Sequence, residues 1–190
     1  MSNDLELFKF ARLYLGQANW DLVKKTSQKE LEMFKKKPVD ANTSYLVYGN
    51  KDLLSKFRAF YLTRCLKKRP LYEQYLMYDY ATELCTNTRD EYGINVDLDL
   101  VFLYRHKHLL EIGRSEDWLI ETILNKVANR NRDGLVTVIL SEVHMSALET
   151  CGELKVINLV SMVANKNKSK VLNNVSTDLK SNVSGDYNVY

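Results

Sequence analysis

The chain has 190 residues, 45% apolar and 27% charged, with a formal net charge of +3. That length suits one domain with a proper core plus short terminal extensions, in an ordinary globular composition. The longest apolar run, Leu100 to Tyr104, is five residues, against the roughly 20 that span a bilayer. Asp4 and Glu6 interrupt the place of a secretory h-region, so the expectation is a cytoplasmic protein without membrane contact.

Residues 1–40 read as an N-terminal helical arm. Leu5, Phe8, Leu13 and Leu15 precede a polar gap, a second stretch carries Leu31, Met33 and Phe34, and Lys35-Lys36-Lys37 with Pro38 close it. Such an arm packs on the domain or docks on a partner. The pattern changes at Ser44, where an aromatic and β-branched run ending in Gly49 predicts a buried strand. A helix is expected from Leu53 to Lys68, with Leu54, Phe57, Phe60, Tyr61 and Leu66 at helical spacing, stopped by Arg69-Pro70. Tyr72 to Tyr78 reads as a second strand and Asp79 to Cys85 as a short helix.

Leu98 to Tyr104 gives the clearest strand signal. Ser115-Glu-Asp-Trp then caps an amphipathic helix with Trp118, Leu119, Ile123 and Val127 on one side, which Asp133-Gly134 ends. Leu135–Leu140 and Leu154–Val160 complete five strands. Apolar strands alternating with helices imply an α/β fold: a mostly parallel five-stranded sheet with helices on both faces, over residues 41–164. Residues 165–190, rich in Asn and Ser without a periodic apolar face, read as a flexible polar tail.

Cys65, Cys85 and Cys151 form no CxxC and are expected as free thiols, mainly small buried hydrophobes. His106 and His108 point to one side of a strand, but no acidic or thiol partner stands at metal-site spacing. Glu91, Asp97 and Asp99 suit loop or capping roles better than a nuclease centre. The basic residues cluster locally. Lys67, Lys68 and Arg69 are candidate nucleic-acid contacts that close the first long helix, where charge also complements the helix dipole. Arg105, Lys107, Arg130 and Arg132 follow element ends, where phosphates could be met at one edge of the sheet. Aromatics interleave with base in KFRAFYLTRCLKKRPLYEQY, yet Phe57, Phe60 and Tyr61 keep core spacing rather than that of a stacking platform.

In order and hydrophobic pattern, residues 42–160 resemble the AAA+ helicase loaders and insertion-sequence helper ATPases. The strand ending in Gly49 stands where these proteins enter the phosphate loop. YLMYDYATEL resembles their second strand and helix, DLDLVFLYRH their acidic magnesium-binding strand, and Ser115 to Glu142 the helix and strand before a polar sensor residue. The resemblance implies a P-loop NTPase-like fold. Its partners would be DNA, a replicative helicase or another AAA+ protein, or further copies of the chain.

The chemistry of that family is not matched. A phosphate loop, GxxxxGK followed by Ser or Thr, needs a second glycine for close backbone approach, a lysine for the β/γ oxygens and a hydroxyl for magnesium. Gly49-Asn-Lys-Asp-Leu-Leu-Ser-Lys56 puts Leu54, Ser55 and Lys56 there, with Asp52 where triphosphate would lie. Two carboxylates should follow the LVFL strand; Tyr104-Arg105 stand instead, and Ser141-Glu142 occupy the sensor position. The expectation is therefore no catalytic residue, cofactor or metal. It is a non-hydrolysing, helicase-loader-like protein binding DNA or protein partners, the alternative being an inhibitor or adaptor of a replication ATPase that does not bind DNA.

Overall fold

The computed structural model describes residues 15–37, 39–65, 71–86, 98–107 and 115–159. Five strands, β1 (Tyr45–Tyr48), β2 (Tyr72–Leu76), β3 (Leu100–Arg105), β4 (Val136–Ser141) and β5 (Lys155–Asn158), form one sheet in the order β2-β3-β4-β1-β5, parallel throughout. The helices are α1 (Gly16–Lys25), α2 (Gln28–Lys35), α3 (Lys51–Cys65), α4 (Met77–Thr86), α5 (Glu116–Arg132) and α6 (Ser146–Thr150).

Alternation along each strand sends neighbouring side chains to opposite faces. Tyr45, Val47, Leu100, Phe102, Val138 and Leu140 pack with Val23 of α1, Phe34 of α2 and the inner side of α3. Leu46, Tyr48, Val101, Leu103 and Ile139 pack with α4, α5 and α6. The sheet is covered on both faces, as expected of strands this apolar. β1, β3 and β4 are the interior strands. β2 and β5 are its edges, and three of the four β5 residues are exposed, so the expected apolar fifth strand is a short edge.

The described part of the arm joins the same core. Phe34 is fully buried, its ring 5.6 Å from Phe57 and 5.4 Å from Phe60. A capping box fixes the start of α2: Ser27 Oγ accepts from Glu30 N and Glu30 Oε2 accepts from Ser27 N. Ser115 caps α5 through Trp118 N, where the sequence places the start. Several boundaries moved, β3 from Leu98–Tyr104 to Leu100–Arg105 and β4 from Leu135–Leu140 to Val136–Ser141 among them. β2 ends at Leu76 because Met77 already begins α4, and α3 begins two residues before the expected Leu53 because Asn50 caps it. Helix α6, of five residues, had no counterpart in the sequence pattern. The expected tail from 165 lies outside the described residues.

Candidate functional site at the carboxyl edge of the sheet

β1 and β4 are neighbours whose connections leave on opposite faces, β1 into α3 and β4 into α6. In parallel α/β sheets a ligand crevice opens at the carboxyl ends of such a strand pair. Register puts Arg105, Ser141, Tyr48 and Asn158 in one row across this edge.

The link from β1 to α3 is only Gly49-Asn50. Positions 51–54, which in a phosphate loop run as open backbone with inward amides, are here the first turn of α3. Asn50 takes up two amides of that turn: its Oδ1 accepts from Leu53 N at 2.9 Å and its carbonyl from Leu54 N at 2.9 Å. The space beside Gly49 is filled. A Cβ there would stand 3.4 Å from Leu54 Cγ and 3.5 Å from Leu159 Cδ1, and both leucines are buried. Lys56 turns away from the edge to Asp52 at 2.7 Å and Glu30 at 3.0 Å. The hydrogen bond to Asp52 raises the Lys56 ammonium against its own burial. Burial pushes the Glu30 carboxyl up, but the Ser27 amide and Lys56 outweigh it and hold the group below its ordinary value.

At the end of β3, the Arg58 guanidinium lies 5.9 Å from the Tyr104 ring centroid, and His106 stacks on the same tyrosine at 5.6 Å. Burial raises the Tyr104 hydroxyl, with Arg58 opposing. Glu142 Oε2 accepts from Lys107 N at 2.9 Å and lies 3.5 Å from His106 Nδ1. Arg105 reaches Glu116 at 3.7 Å on the other face. Beside β4, Ser141 Oγ donates to the Val143 carbonyl at 2.7 Å. The Tyr48 hydroxyl accepts from Met145 N at 3.0 Å, and its ring stacks on His144, whose Nε2 is 3.2 Å from Glu149. Burial lifts the Tyr48 hydroxyl to about 12 despite the Met145 amide. The carboxylates here are thus turned to His, Arg or backbone partners. Among the described residues no three His, Cys, Asp or Glu side chains group as a metal site.

The described basic residues singled out from the sequence, Arg105, Lys107, Arg130 and Arg132, do not converge. Arg130 is a correction: it is 1% exposed, and its guanidinium donates to the Leu98 carbonyl at 2.6 Å, the Val136 carbonyl at 3.0 Å and Thr137 Oγ1 at 3.0 Å. It ties α5 to the starts of β3 and β4 and meets no phosphate. The shared edge is also corrected. Helices between parallel strands run back, so Arg130 and Arg132 end α5 near Leu98 and Val136, at the amino edge of the sheet. Arg105 and Lys107 lie at the carboxyl edge, five strand residues or about 16 Å away. Arg132 is exposed and donates to Asn129. Lys107 is exposed as well. Lys67, Lys68, Arg69, Glu91, Asp97 and His108 lie outside the described residues. Phe57, Phe60 and Tyr61 are core residues.

Two participants escaped the sequence reading. Asn50 carried a usable signal, a preferred capping residue just before an apolar helix. Arg58 carried none, because its approach to Tyr104 depends on how α3 crosses β3.

No family model and no curated protein sequence matches the chain. Similar solved structures include a candidate primosome component from Streptococcus pyogenes serotype M3, at 16% identity and TM-score 0.40, matched over 68% of this chain and 75% of that one. The DnaC helicase loader is similar at 12% identity and TM-score 0.48, over 75% of this chain and 99% of that one. A DNA replication initiation factor is similar at 13% and TM-score 0.38, over 77% of this chain and 50% of that one, so the chain spans half its length.

Proposed function

We propose that this protein is a non-hydrolysing, helicase-loader-like component of DNA replication or a related nucleic-acid transaction, working in the cytoplasm by binding DNA and protein partners. The observation that carries the proposal is the connection after β1. Its two residues are consumed by turn and cap, and Leu54 and Leu159 stand within 3.5 Å of where a Cβ on Gly49 would be, which supports a phosphate loop that no longer works. Tyr104 and Arg105, under Arg58 and against Glu116, replace the two acids that magnesium chemistry needs. The order of elements and the sequence resemblance over residues 42–160 support the loader-like role.

A second reading has its own support. With Arg130 in the core, Arg105 facing Glu116 and Lys107 far from Arg132, the four described residues first assigned to DNA are dispersed. That dispersal favours an inhibitor or adaptor that engages a replication ATPase without touching DNA. Retention of a replicative helicase on the immobilised full chain, with no phosphate release above background from ATP and magnesium, is the expected result. Turnover of ATP would refute the proposal. A helicase complex together with no shift of any DNA in low salt would select the second reading.

A further inference from the structure

We infer that the α1–α2 segment is the surface that meets the phosphate backbone of duplex DNA. This deepens the DNA-binding reading above and rests on it. Residues 16–37 hold six lysines against three acids, and that excess of three equals the formal net charge of the whole chain. Two of the acids are spent locally: Asp21 on Lys24 and Gln17, Glu30 on Lys56 and the Ser27 cap. Lys25, Lys29 and Lys36 are exposed and, among the described residues, have no ion pair. Lys29 and Lys36 are seven apart and share one outer stripe of α2, about 10 Å along the axis. Lys25 stands at the corner, two residues before the Ser27 cap. One acid, Glu32, interrupts the stripe.

Lysines in a last helical turn complement the dipole, and that explains Lys24, Lys25 and Lys35 without a ligand. It does not explain Lys29. This residue occupies the second position of α2, in the first turn, where a cation opposes the dipole. An anionic partner offsets that repulsion. Lysine point charges suit phosphates without reading bases. The segment also lacks a free aromatic platform for single strands: Phe34 is buried, and Trp20 packs on the core with Lys24 over its ring. Duplex DNA, with the denser phosphates, fits better.

The test is the affinity of the full chain for a random-sequence duplex across a salt series, beside the triple variant K25Q/K29Q/K36Q and its Lys→Arg counterpart. The expected result is at least a tenfold loss for the glutamine variant near 0.1 M salt, with the log–log salt slope shallower by roughly 2.7, about 0.9 per lysine. The arginine variant should keep wild-type binding, and the three proteins should melt together. Unchanged affinity of the glutamine variant would overturn the inference while leaving DNA binding itself in place. A wild-type chain that binds no duplex overturns both, and preference for single strands or anionic vesicles overturns the duplex assignment.

Discussion

Arg130 shows how the same residue type answers to opposite forces. A guanidinium taken out of water must have its donors used, and here two carbonyls and a threonine hydroxyl use them. Arg130→Ala should therefore cost about 2–4 kcal/mol in denaturant unfolding, by opening a cavity and orphaning the Leu98 and Val136 carbonyls. Arg132→Ala, two residues on and exposed, should stay within about 0.5 kcal/mol. Equal costs would mean that the Arg130 bonds carry no weight. Tyr48 gives a pH signature. Its hydroxyl titrates near 10 in an unfolded chain and at about 12 in place, so the neutral ring favours the fold. That contribution is complete below about 10 and is lost as pH rises toward 12. Tyr48→Phe should lose about 1 kcal/mol at neutral pH with the Met145 contacts, and stability should then fall less between pH 10 and 12. A fall of undiminished size in the variant would assign the alkaline transition to other tyrosines.

Caps and strand neighbours set the elements. Removing the α2 cap with Ser27→Ala should cost about 1 kcal/mol and loosen the Glu30–Lys56 link to α3, read as a lower melting temperature. A melting temperature equal to the wild type would show that Phe34 alone holds α2. Most of this architecture was legible beforehand, because it depends on local pattern. Continuous apolar runs marked β1, β3 and β4, and Ser115 and Asp133-Gly134 bounded α5. What was not legible depends on three-dimensional neighbours. Among the described residues Lys155–Asn158 has no second partner strand and so lies at an exposed edge, which its own composition does not say. The gathering of basic residues failed for a similar reason. Sequence shows that Arg105 and Arg132 each follow an element, but the reversal of direction through α5 puts them at opposite ends of the sheet.

For the whole molecule, a parallel sheet with a strand pair open to opposite faces supplies a crevice that many proteins of this class fill with a ligand. In this chain several side chains gather at that place. Leu54 and Leu159 lie on one face and the Tyr48–His144 stack on the other, with Asn50 closing the first turn of α3. Among the described residues, exposed lysines stand on the outer helices α1 and α2. Melting the full chain with and without millimolar ATP and magnesium tests this account most directly. The proposed loss of the phosphate site predicts no change in melting temperature. A nucleotide held with micromolar affinity would contribute about 4 kcal/mol at a thousandfold excess over its dissociation constant, and the resulting rise of several degrees would contradict it.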